Sequence, residues 1–105
     1  MTGEERFERI ATQFVEGQEG VILGKMMSSP GLKYNNKVFA FFHKDKMGFR
    51  LGTSFNLEAN GVKHAEPLSP FKTKPPLKGW YMVDVIEADL WPLLTEEALR
   101  FTQTL

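Results

Sequence analysis

The chain has 105 residues, no cysteine, 42% hydrophobic and 25% charged residues, and 13 basic side chains against 13 acidic ones. This suits one globular domain and excludes a disulfide framework, a thiolate metal site and a cysteine nucleophile. No apolar run approaches the ~20 residues that span a bilayer, and Met1 to Arg6 lacks the basic-then-apolar pattern of a signal peptide, so a cytoplasmic protein without membrane contact is expected.

Thr2 precedes Glu5 by three residues, the spacing of a helix capping box. Phe7, Ile10, Ala11, Phe14 and Val15 then recur at helical spacing up to Gly17 and Gly20, predicting an N-terminal helix with one apolar face. Val21 to Met27 reads as the first strand. Ser28-Ser29-Pro30-Gly31 reads as the turn after it, because proline presets φ and glycine accepts a positive one. Leu32 to Tyr34 is extended again, and Asn35-Asn36 predicts a two-residue hairpin turn. Val38 to Phe42 is an apolar strand with Phe39 and Phe41 set against Phe42 on the other face. Lys44-Asp45-Lys46 with Gly48 predicts the next turn, and Phe49 to Leu51 the next strand, with Arg50 facing away from its neighbours. Links this short join antiparallel strands.

Beyond Leu51 the pattern changes. Ser54 to Asn60 predicts a short helix stopped by Gly61. Four prolines between Glu66 and Pro76 predict an irregular loop. Trp80 to Ile86 reads as the last strand. Asp89 to Phe101 reads as the closing helix, with Pro92 in its first turn and Leu90, Leu93, Leu94, Ala98 and Phe101 on its apolar side. The expected fold is α+β: one domain over 1–105, an antiparallel sheet of about five strands, and the N- and C-terminal helices packed on one face.

Gly24-Lys25-Met26-Met27, the run Leu32 to Ala40, and Gly48-Phe49-Arg50-Leu51 together resemble the N-terminal domain of the TfoX (Sxy) competence regulators and the small stand-alone proteins grouped with it. Lys78-Gly79-Trp80, and Trp91, Leu94 and Glu97-Ala98 in the last helix, extend that resemblance over nearly the whole chain. The resemblance implies a two-layer α+β sandwich and a non-enzymatic, regulatory domain. It brings no catalytic residue and no cofactor.

The residues themselves offer little chemistry. His43 and His64 are the only histidines, and His43-Lys44-Asp45 supplies too few ligands for a metal site, which needs three or four. Ser28 and Ser29 lack a Gly-x-Ser-x-Gly elbow, and Gly17, Gly20 and Gly24 form no phosphate loop. Glu96-Glu97 reads as a solvated helix face. Met26, Met27 and Met47 read as core residues, with an apolar ligand pocket as the alternative. Aromatic residues on both faces of the third strand raise the expectation of a homodimer, since helices on one face leave the other uncovered.

Charge is uneven along the chain. Residues 1–20 carry two basic and five acidic groups, residues 21–78 ten and three, and residues 79–105 one and five. A basic middle between acidic ends suits either a nucleic acid or simple neutralisation within the fold. Lys25, Lys33, Lys72, Lys74 and Lys78 are the candidate nucleic-acid or anion contacts, with Tyr34, Phe71 and Trp80 as candidate stacking platforms. The same lysines equally serve to keep sheet edges from aggregating. The leading expectation is a protein-interaction or regulatory module, with nucleic-acid binding second, and a ligand carrier or enzyme last.

Overall fold

The computed structural model describes residues 1–69 and 73–105. Helix α1 (Gly3–Gly17) starts where its sequence says it should. Thr2 Oγ1 accepts the Glu5 N–H at 3.1 Å, and Glu5 Oε1 accepts the Thr2 N–H at 2.9 Å, closing both halves of the capping box. Phe7, Ile10, Ala11 and Phe14 form its buried stripe, while Val15 falls outside it.

Four strands follow as a meander: β1 (Val21–Met26), β2 (Ser29–Tyr34), β3 (Lys37–His43) and β4 (Lys46–Arg50). All three turns between them are two residues long, and both central residues have positive φ: Met27 and Ser28 at 48° and 76°, Asn35 and Asn36 at 51° and 66°, Lys44 and Asp45 at 49° and 61°. This is the mirror-image turn whose twist matches that of paired strands. The Asn35-Asn36 turn stands as expected. The first turn does not: Ser29, Pro30 and Gly31 belong to β2, and Met27-Ser28 makes the turn. Gly31 is needed for close approach rather than for turning, because a Cβ there would lie 2.5 Å from the Ala40 carbonyl oxygen. Lys46 and Gly48 likewise sit inside β4.

After β4 a 3-10 turn (Glu58–Asn60) ends at Gly61 with φ of 81°. A short strand, β5 (Ala65–Pro67), occupies the start of the segment expected to be loop. Its proline is tolerated because β5 is an edge strand. Strand β6 (Trp80–Asp84) ends two residues earlier than expected, where Asp84 Oδ1 accepts the Ile86 N–H at 3.0 Å and opens a 3-10 stretch over Val85–Leu90. Helix α2 (Trp91–Gln103) therefore begins at Trp91 with Pro92 in its first turn. That start sets its buried face as Trp91, Leu94, Thr95, Ala98, Leu99 and Thr102, leaving Leu93 exposed and Leu90 and Phe101 half-buried.

Among the described residues six strands form one antiparallel sheet in the order β1-β2-β3-β4-β6-β5. Both helices pack on one face, and Phe7, Ile10, Phe14, Trp91, Leu94 and Ala98 join Leu32, Phe42, Met47, Phe49 and Val83 in one core. Each leucine, isoleucine, valine, phenylalanine or methionine among these contributes about 1.5–3 kcal/mol when fully buried. Trp91 is wholly buried and donates its indole N–H to the Val83 carbonyl at 3.2 Å, so its one polar group is satisfied. The fold is α+β with terminal helices on one face of an antiparallel sheet, carrying one strand more than the sequence suggested.

A bulge in the β2–β3 ladder at Leu32/Lys33 shifts the register by one residue. It turns Phe39 into the helix-side core beside Ala40 and Phe42, and leaves Phe41, with Val38, on the other face. The expected pairing of Phe39 with Phe41 on one face is thereby corrected.

Candidate functional site

The helix-free face carries a small second core. Phe41, Leu68, Trp80 and Met82 are buried there, with Met26 and Val38 packed against them. The Phe41 and Trp80 rings lie 5.7 Å apart. Three backbone bonds close the base of the proline segment over this patch: Leu68 N–H to Trp80 O, Leu77 N–H to Leu68 O, and Trp80 N–H to Leu77 O. Phe41, the aromatic residue of the third strand on this face, is thus covered within the chain, so it does not itself offer a surface for a second copy. Trp80, only 8% exposed, is not available as a stacking platform. Tyr34 is half-buried on the helix side, where it packs against the main core.

Beside that small core lies a cleft of about 740 Å³. Phe41 and Met82 form its floor, Met26 and Met27 one wall, and Glu66 to Ser69 the other. Its polar end is built from three strands. Ser29 begins β2, His43 ends β3 and Lys46 begins β4, so tight turns bring them together. Ser29 Oγ lies 3.0 Å from His43 Nδ1. Lys46 Nζ lies 2.5 Å from Glu66 Oε1, and that carboxylate raises the Lys46 ammonium above its usual range. Met47, grouped with Met26 and Met27 in the sequence, points instead into the helix-side core.

A second polar knot holds the far side of the sheet. Glu87 accepts the Lys63 N–H at 2.9 Å and the His64 N–H at 2.6 Å, and its carboxylate lies 3.6 Å from His64 Nδ1. Burial works against the Glu87 charge, yet the two N–H donors and the His64 ring outweigh it and hold the carboxyl below its usual range. This knot fastens the approach to β5, its Glu87 carboxylate taken up by the two backbone N–H groups. The two histidines therefore lie in separate places, His43 in the cleft and His64 beside Glu87.

The candidate lysines do not form a single stripe. Lys25 stands two residues after Leu23, whose partner Leu32 belongs to the helix-side core, so Lys25 projects toward the helix side. Lys33 follows Leu32 and projects from the opposite face, its stem lying over Gly24. Lys74 and Lys78 are exposed at the proline segment, while Lys72 and Phe71 lie outside the described residues.

The other exposed feature is the edge strand β1. Ile22 and Leu23 are 52% and 65% exposed, Met27 beyond them 55%, and no described strand pairs with the outer side of β1. Leu23 and Pro30 face α1 across a shallow groove that Glu8, Thr12, Val15 and Glu16 complete. The sequence marked these as ordinary strand residues; only the strand order reveals that the apolar run sits at an edge. Among the described residues no helix is long and apolar enough to cross a membrane. No family model, curated protein or solved structure matches this chain.

Proposed function

We propose that the protein is a non-enzymatic protein-interaction module that assembles as a homodimer along β1, in keeping with the regulatory role implied by the resemblance of its sequence to TfoX N-terminal domains. The observation that carries this reading is the open edge of β1, with Ile22 and Leu23 more than half exposed. Long apolar edges invite another strand. An antiparallel edge is its own complement under a two-fold axis.

A two-fold placed at Leu23 pairs that residue with Leu23 of the second copy and keeps both helix layers on one side. It sets Lys25 opposite Val21 of the second copy. Val21 is tied to Gln18 just after α1, so Lys25 arrives near Glu16 of the second copy. The groove beside Leu23 has an acidic wall in Glu8 and Glu16, and Lys25 is the only charged residue of β1. That charge complementarity favours a second copy over an unrelated strand. It also gives Lys25 a role other than contacting nucleic acid.

Solution mass measurement tests the reading. The protein is expected to run as a concentration-dependent dimer, and Leu23→Lys to run as a folded monomer. A wild-type chain that stays monomeric at high concentration would falsify it.

A further inference from the structure

We infer that the cleft on the helix-free face is a binding site for a small amphipathic monoanion, of which medium-chain carboxylates are the fitting class. This does not rest on the dimer, since the floor of the cleft is built from β3 and β6 in the middle of the sheet.

Size and lining suit such a ligand. A cleft of about 740 Å³ lies within the range of roughly 300–1,000 Å³ typical of small-molecule sites. Its floor and near wall are apolar and adaptable, because Met26 and Met82 carry flexible thioethers beside the Phe41 ring. These residues offer a chain of methylene groups contact without demanding a particular shape.

The polar end fits one negative charge. Lys44 and Lys46 line it, and Glu66 already engages Lys46. Asp84, across the ladder from Lys46, is turned to the Ile86 N–H as a cap and does not line the cleft. Lys44 forms no ion pair among the described residues, and Glu4 and Glu8 reach only the neighbouring groove that it also lines, so its ammonium is left for a ligand in the cleft.

The Ser29–His43 pair adds a hydrogen-bond donor in either tautomer. If Ser29 donates to Nδ1, the ring carries its proton on Nε2. If Nδ1–H donates to Ser29, the hydroxyl hydrogen is left over. Each arrangement leaves one N–H or O–H for a carboxylate oxygen. Among the described residues the His43 ring has no hydrogen-bond partner besides Ser29, so the pair is assigned to binding and not to nucleophilic attack.

The test compares decanoate, its neutral analogue decanol, and acetate by calorimetric titration, with methyl NMR of the methionines locating the site. Decanoate is expected to bind and to shift Met26 and Met82, with decanol and acetate each weaker. Lys44→Gln and Ser29→Ala, both at surface positions, are each expected to weaken decanoate by roughly tenfold while leaving decanol unchanged. Failure of decanoate to bind, equal binding of decanol, indifference to both substitutions, or shifts confined to residues outside the cleft would each overturn the proposal.

Discussion

The ring of Phe41 fills the space above Gly48, its cross-strand partner, so closely that a Cβ on Gly48 would clash with the ring edge, 2.6 Å from Cζ, and lie 2.9 Å from the Met82 sulfur. The pairing explains how an unbranched strand position carries so large a side chain without a helix to cover it. Gly48→Ala is therefore expected to destabilise the protein by about 1–3 kcal/mol through overpacking. Gly17→Ala, at a helical position where an added Cβ meets nothing within 4 Å, is expected to stabilise it by about 0.5–1 kcal/mol. Urea unfolding of the two variants beside wild type checks both signs. A neutral Gly48→Ala would mean that the helix-free face is looser than described.

The Met27-Ser28 turn stores backbone strain, since neither residue is at ease with positive φ. Ser28→Gly relieves it at the more extreme of the two, φ 76°. A stabilisation of about 1 kcal/mol is expected, read as a higher urea midpoint with an unchanged slope. A lower midpoint would show that the Ser28 side chain contributes more than its backbone conformation costs.

Glu87 makes stability depend on pH in a defined direction. Its carboxyl is held low in the folded state by the Lys63 and His64 N–H groups, whereas in the unfolded chain it titrates near pH ~4.3. The stability it supplies is complete above that value and is lost as pH falls through the lower folded one. Glu87→Gln is expected to cost about 1–3 kcal/mol at neutral pH and to flatten the acid limb of the stability profile. Parallel curves for wild type and variant through the acid range would refute this role.

How far the sequence could be read depended on whether a feature was local. The Thr2 cap, the Asn35-Asn36 turn, the Gly61 stop and the Pro92 helix start each involve neighbours in the chain, and each is found in place. Pro30-Gly31 misled because both residues commonly make turns, while here they serve a strand whose neighbour's backbone comes too close for a side chain at Gly31. The bulge mattered most. An unbroken ladder from the Asn35-Asn36 turn sets Ser29 opposite Phe42, on the wrong face. The one-residue shift at Leu32/Lys33 sets it opposite His43 instead. No residue in β2 or β3 signals that shift, so the polar end of the cleft was invisible until the strands were placed. The edge position of β1 likewise follows from strand order, which short-range patterns do not encode.

The charge match proposed across the dimer has its own consequence. Lys25→Glu and Glu16→Lys are each expected to weaken self-association by roughly tenfold, and the double variant to recover most of the loss, a coupling of about 2 kcal/mol. Sedimentation analysis of both single variants and the double variant reads this directly. Simple additivity of the two losses would separate Lys25 from Glu16 and remove the charge argument for a second copy.

The most direct test of assembly along β1 is amide hydrogen exchange followed residue by residue at low and at high protein concentration. The predicted result is slowed exchange confined to the outward-facing amides of Val21–Met26 as concentration rises, with the remaining strands unchanged. Exchange in β1 that is the same at every concentration, or protection that appears on another surface, would contradict the account.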